Sequence, residues 1–149
     1  MNIQRKLVTA MVSGALMCTL AGGASAHHSY AMFDREKWGT VTGTVRTLQW
    51  TNPHVYVWVY PNGKKDESNV WGFEFVGGPN GLQRSGWTKR TINVGDKVTI
   101  KYHPLRDGRG GGEFENVVLP NGETWDARGK VPAGGRKTGQ AGGGQALPN

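Results

Sequence analysis

Apolar and polar residues alternate through the middle of the chain, and this alternation predicts strands rather than helices. The alternation is cleanest over residues 54–60, where three valines lie on one face and His54, Tyr56, Trp58 and Tyr60 on the other. A period of two is typical of a strand with one buried face. Segments of this kind are predicted at 40–50, 54–60, 69–76, 97–103 and 114–119.

Turn residues separate these segments and indicate how they connect. Pro61-Asn62-Gly63 predicts a hairpin between the second and third strands, and residues 79–86 predict one or two helical turns that end at Gly86. Five strands with one short helix between the third and fourth is the order of an OB-fold-like Greek-key barrel, so we expect a small all-β protein of this kind. A small β-sandwich is the alternative that the strand count leaves open.

The two ends of the chain differ from its middle in composition. Residues 1–26 carry Arg5 and Lys6, then an apolar run to about residue 21, then Ala24-Ser25-Ala26, which together predict a secretory signal cleaved before His27. The run is shorter than the roughly 20 apolar residues that span a bilayer. Residues 126–149 are rich in Gly, Ala and basic residues and predict a disordered tail. The expected domain is therefore residues 27–125 of a periplasmic or secreted protein.

Charge and cysteine content narrow the expected chemistry. The net charge of +7 falls to +5 when Arg5 and Lys6 leave with the signal. In an exported protein, this balance favours anionic lipid, polysaccharide or an acidic partner over nucleic acid. Cys18, the single cysteine, also lies in the signal, so the mature chain has no disulfide or thiolate site. No nucleophile elbow or phosphate loop is present, and we do not expect an enzyme.

The predicted mature terminus suggests a metal site. A terminal His27 offers its α-amine and its ring nitrogen to one ion, and nitrogen donors in a planar set suit Cu(II) best. His54, which follows a proline at a strand entrance, is the preferred partner, and His28 is a further ligand. Additional ligands or supporting residues are Glu74, Asp34, Asn52 and His103. The alternative is that these histidines are solvated and only titrate.

A second predicted site is an aromatic and basic face. Tyr56, Trp58 and Tyr60 share the polar face of their strand, and Lys97 and Lys101 share the polar face of the fourth strand. OB barrels bind oligosaccharides or oligonucleotides on such faces, so this face predicts an extracytoplasmic polysaccharide or a protein partner as ligand. Alternatively, the rings simply cover the barrel.

Several short motifs resemble those of the DUF6152 family, exported bacterial proteins without an assigned function. They are His27-His28-Ser29-Tyr30-Ala31-Met32-Phe33-Asp34, Gly43-Thr44-Val45, Trp50-Thr51-Asn52-Pro53-His54, Trp71-Gly72-Phe73-Glu74, Asn80-Gly81-Leu82, Gly86-Trp87-Thr88 and Val94-Gly95-Asp96-Lys97-Val98. The resemblance spans about 27–119 and implies export, a mature start at the double histidine and a small β-barrel. The positions that match the family's motifs are His27, His28, Asp34, Asn52, His54 and Glu74. The chain departs from the family in its tail and in the glycine-rich run 108–112.

Overall fold

The computed structural model describes residues 30–136. The predicted signal, His27, His28 and residues 137–149 lie outside this range. The chain divides after Ala31, and every strand within residues 30–136 belongs to the second unit. A 3-10 turn at Tyr30–Met32 precedes the elements β1 (Gly39–Trp50), β2 (Val55–Pro61), β3 (Trp71–Glu74), α1 (Pro79–Arg84), β4 (Lys97–Pro104), β5 (Gly111–Val118), β6 (Thr124–Asp126) and β7 (Gly129–Lys130).

The first five strands close into a barrel. β1 pairs antiparallel with both β2 and β4, β2 pairs with β3, and β4 pairs with β5. A parallel pairing of β3 with β5, in which Gly72 faces Gly111, completes the ring. This connectivity, with α1 between β3 and β4, is that of an OB-type Greek-key barrel, and it confirms the predicted fold. Within residues 30–136, no helix is long and apolar enough to cross a membrane.

The predicted inward faces of the strands form the core. Val55, Val57 and Val59 have no exposed surface, and Phe73 and Phe75 are equally buried. Burying an apolar side chain of this size contributes about 1.5–3 kcal/mol, so these alternating positions fix which face of each strand turns inward. Other buried core residues are Val45, Leu82, Trp87, Ile92, Val98, Ile100, Phe114 and Val117.

β1 is long enough to serve both halves of the barrel. Residues 39–44 pair with β4, while residues 43–50 pair with β2, and the register slips between Val45 and Thr47. Both pairings meet at Gly43, where an added Cβ would lie 2.7 Å from the Tyr60 carbonyl oxygen. The backbones of β1 and β2 therefore approach closely at this glycine, which leaves no room for a side chain.

The sheet continues past residue 126, at which the tail was predicted to begin. β6 and β7 form a hairpin on β5, and the Trp87 indole donates to the Asp126 carbonyl at 2.8 Å. Arg136 reaches back to both carboxylate oxygens of Asp126, each at 3.0 Å. Composition alone placed the start of the tail at residue 126, but polar contacts keep residues 126–136 on the barrel.

Candidate functional site

Three polar side chains meet on the outer surface where β2 and β3 pair. Tyr56 and Glu74 are direct partners in the register of the two strands, and His54 lies one residue before β2. The Tyr56 hydroxyl donates to Glu74 Oε2 at 2.5 Å, and His54 Nδ1 lies 3.2 Å from Glu74 Oε1. We call His54, Tyr56 and Glu74 the Glu74 cluster.

Glu74 is nearly buried, and its partners compensate for the loss of water. The residue is 7% exposed, and each of its carboxylate oxygens faces a side chain of the cluster. A buried carboxylate is costly unless it accepts hydrogen bonds. Burial, and then the hydrogen bond to Glu74, raise the pKa of Tyr56, so its hydroxyl remains a donor well into the alkaline range. The cluster therefore combines a fixed carboxylate with a fixed phenol.

The contacts of Nδ1 orient the ring of His54. That nitrogen lies 3.2 Å from the Glu74 carboxylate and 3.4 Å from the Phe75 carbonyl oxygen, both of which are acceptors. A proton on Nδ1 leaves the lone pair on Nε2, and the side chain is 29% exposed. Histidines that bind metal commonly donate their other ring nitrogen to a carboxylate or a carbonyl in this way. His54 can therefore act as a metal ligand through Nε2.

The other predicted metal ligands lie elsewhere or outside the described range. His27 and His28 are outside it. His103 is buried in β4, where Nδ1 lies 2.8 Å from the Lys37 carbonyl oxygen and the ring packs against Trp38 at a tilt of 37°, with centroids 3.9 Å apart. Among residues 30–136, no group of three or more His, Cys, Asp or Glu side chains is arranged to hold a metal ion.

Asp34 and Asn52, the remaining predicted residues, have contacts of their own. The Asp34 carboxylate pairs with Lys37 at 2.9 Å, and this hydrogen bond lowers the pKa of Asp34. Asn52 is exposed and precedes Pro53 across a cis peptide bond. Its side-chain oxygen lies next to Gly78, at 3.2 Å from the position that a Cβ would take there. Asn52 thus borders the loop after β3.

The predicted aromatic and basic face is divided in the structure. Tyr56 and Trp58 stack with centroids 5.8 Å apart, whereas Tyr60 is buried and its hydroxyl donates to Glu67. Lys97 is exposed at the other half of β1, opposite Thr44 in the strand register.

Lys101 is farther still from the aromatic pair. It faces Thr40 on β1, whereas Trp58 faces Thr47. Seven residues of strand correspond to about 23 Å. The Lys101 ammonium lies over the ring of Trp38, 4.0 Å from its centroid, rather than near Trp58.

A cleft of about 380 Å³ adjoins the Glu74 cluster. It lies between the β2–β3 surface and the loop that joins β4 to β5, which is the face that OB barrels use for ligands. Its lining includes Tyr56, Trp58, Trp71, Glu74 and Arg109. Trp71 and Arg109 were not predicted as site residues. The glycine-rich run 108–112, which contains Arg109, could have indicated a close backbone approach at this place.

Glu113 is a second buried carboxylate that sequence reasoning missed. It is 4% exposed, and Arg35 holds it through two hydrogen bonds, with Nε at 2.8 Å from Oε2. Charged residues are rarely predicted at buried positions because their burial depends on a partner distant in sequence. Here the partner lies 78 residues away.

Fold and site define the class of protein: a small OB-type barrel with a histidine-carboxylate-tyrosine cluster beside an aromatic cleft. The chain belongs to the DUF6152 family, described as a family of unknown function, whose model matches residues 15–114. No curated protein and no solved structure shows a significant match to the chain.

Proposed function

We propose that this protein binds a divalent transition-metal ion, Cu(II) before others, in the periplasm or outside the cell, and carries or buffers it without turnover. The observation that supports this function is the orientation of His54, whose Nδ1 faces Glu74 and Phe75 while the ring stays partly exposed. In this arrangement Glu74 and the Phe75 carbonyl orient the ring, so that Nε2 is the coordinating atom.

The remaining ligands of the proposed site come from the sequence. Cleavage before His27 would supply an α-amine and an imidazole, and His28 would supply another ring. Together with His54 Nε2 these are nitrogen donors, and a nitrogen set of three or four favours Cu(II) in a planar geometry. The preference for copper rests on this donor chemistry.

The test is a Cu(II) titration, by calorimetry and electron paramagnetic resonance, of the mature chain that starts at His27. We expect tight 1:1 binding with a nitrogen-rich spectrum, and weaker binding both in His54→Ala and in a chain with one extra N-terminal alanine. His103→Gln is the matched control, because His103 contacts Lys37 and Trp38 rather than the Glu74 cluster. Equal or negligible binding in all four proteins would refute the metal function.

A second function, binding of an envelope polysaccharide or protein partner, was predicted for Tyr56, Trp58, Tyr60, Lys97 and Lys101. The separation of Lys101 from Trp58 and the burial of Tyr60 do not favour one continuous face made of these five residues. Tyr56 and Trp58 instead line the cleft beside Glu74. The cleft is therefore the observation that favours this second function.

A further inference from the structure

The tryptophans of the cleft rest on glycine backbone. Trp58 faces Gly72 across β2 and β3, and an added Cβ at Gly72 would lie 2.6 Å from its ring. Trp71 covers Gly110 in the same way, with its Nε1 2.1 Å from the position of an added Cβ. Because neither glycine has a side chain, each indole packs directly against the backbone of the glycine.

The polar atoms of these aromatic residues are already used inside the protein. The indole N–H of Trp58 donates to Gln49 at 3.1 Å, that of Trp71 donates to Asn69 at 2.9 Å, and the Tyr56 hydroxyl donates to Glu74. These bonds fix the rings and leave their faces as the surface that a ligand meets. Fixed rings bind with little loss of side-chain entropy, which favours stacking on a flat ligand.

The charges around the cleft do not fit a polyanion. Arg109 is its cationic lining residue, and the Arg109 guanidinium pairs with Asp107 at 2.8 Å. No lysine lines the cleft within residues 30–136. Single-stranded nucleic acids are bound by aromatic rings together with a positively charged groove, and that second component is missing from this lining.

We propose that the cleft binds a neutral oligosaccharide, whose sugar rings stack on Tyr56, Trp58 and Trp71. The apolar face of a pyranose matches an aromatic ring, and its hydroxyls match the acceptors on Glu74 and Asn69 that line the same cleft. A volume of about 380 Å³ lies within the range of small-ligand sites. This inference specifies the ligand class of the second function and does not depend on metal binding.

The experiment is NMR titration of the mature chain with three neutral hexasaccharides, cellohexaose, maltohexaose and N-acetylchitohexaose, in the presence of EDTA. The sequence has six tryptophans, and their indole N–H signals report on binding separately. We expect at least one sugar to shift the signals of Trp58 and Trp71 and to leave that of Trp38 unchanged. No binding of any of the three at millimolar concentration would overturn the proposal.

Variants then locate the contact. Trp58→Ala should weaken binding about tenfold or more, because an aromatic ring that the ligand covers is the usual centre of a binding site. Trp58→Phe should retain most of the affinity and controls for folding. Trp38→Ala is the matched control, since Trp38 is exposed and lies on His103 and Lys101 instead. Unchanged affinity in both Trp58→Ala and Trp71→Ala would place the sugar elsewhere and overturn the proposal.

Two further measurements separate the alternatives. Salt-sensitive binding of an oligothymidylate at Trp58 and Trp71, tighter than that of any sugar, would overturn the neutral ligand in favour of a nucleic acid. His54→Ala should weaken copper binding and largely retain sugar binding. Failure of the sugar proposal and failure of the metal proposal are therefore observed in different variants.

Discussion

Glu74 and Glu113 lie opposite each other in the parallel pairing of β3 with β5 that closes the barrel. Both residues are buried, at 7% and 4% exposure. Like charges on adjacent strands destabilise a sheet, and each carboxylate is compensated differently. Glu113 has the guanidinium of Arg35, whereas Glu74 has the phenol of Tyr56 and the imidazole of His54. Glu113 thus stabilises the fold through its ion pair with Arg35. Glu74 instead orients His54, whose imidazole is a potential ligand.

Glu74→Gln should therefore weaken copper binding more than it affects folding. The amide keeps the shape of the side chain but lacks the carboxylate charge that faces His54 Nδ1, and losing such a partner typically reduces metal affinity about 10- to 100-fold. Calorimetric Cu(II) titration of the mature chain measures this. Glu113→Gln is the matched control on the neighbouring strand, and equal affinities in wild type and Glu74→Gln would show that Glu74 does not support a ligand.

Arg35→Ala should lower the free energy of unfolding by about 1–2 kcal/mol. The substitution leaves the buried Glu113 carboxylate without its guanidinium, and the figure lies below that for a fully buried pair because the Arg35 side chain is 50% exposed. Urea denaturation followed by tryptophan fluorescence gives the value. Arg109→Ala, which removes an exposed pair with Asp107, should change stability little. Similar losses in both variants would contradict a special role for Arg35.

The fold could be predicted from sequence because the signals are local. Alternation in β2 and β4, the Pro-Asn-Gly turn after β2 and the short helix that precedes Gly86 each depend on a few neighbouring residues. Taken in chain order, these elements predict an OB-type barrel, since few topologies accommodate five strands with a helix between the third and the fourth. The β6–β7 hairpin was missed because its strands are three and two residues long and are held by polar contacts.

The site was predictable only in part, for the same reason. The pairing of Glu74 with His54 or Tyr56 follows from the β2–β3 hairpin, and the structure has both contacts. The cleft brings residues near position 70 together with residues near position 109, and that proximity arises only when β3 pairs with β5. The hydroxyl of Tyr60 donates to Glu67, which lies in a loop whose path the strand pattern does not determine.

Ionisation of the Tyr56 hydroxyl should lower the free energy of unfolding at alkaline pH. Its pKa is raised above the ordinary 10.0 in the folded state, so its hydrogen bond stabilises the fold fully below about pH 10 and is lost as the pH rises toward the folded pKa. Urea unfolding at increasing pH should show a decline above pH 10 that is smaller in Tyr56→Phe. Tyr102→Phe is a useful comparison, because burial alone raises the pKa of Tyr102. An identical alkaline slope in wild type and Tyr56→Phe would contradict this coupling.

Gly111→Ala should be among the most destabilising single substitutions in the barrel. Gly111 has a φ of +114°, and an added Cβ would lie 2.3 Å from the Gly72 carbonyl oxygen in the pairing that closes the ring. Strain and backbone displacement together should cost about 3 kcal/mol or more, measured by thermal and urea unfolding. Gly86→Ala is the control, because Gly86 also has a positive φ, +88°, but open space around it, and it should lose only about 1 kcal/mol. Equal losses would show that the contact with β3 is not critical.

Truncation tests where the domain ends. A chain that stops after residue 136 should unfold like the full-length protein, whereas one that stops after residue 125 should lose about 2 kcal/mol or more. The shorter chain lacks the Asp126 carbonyl that accepts the buried Trp87 indole at 2.8 Å, and it lacks β7 and the Arg136 contacts. Asp126→Asn in the full chain separates these causes, since it retains the backbone carbonyl and weakens only the side-chain contacts of Asp126 with Arg128 and Arg136. If the chain ending at residue 125 were as stable as the longer one, residues 126–136 would be dispensable and the boundary predicted from composition would stand.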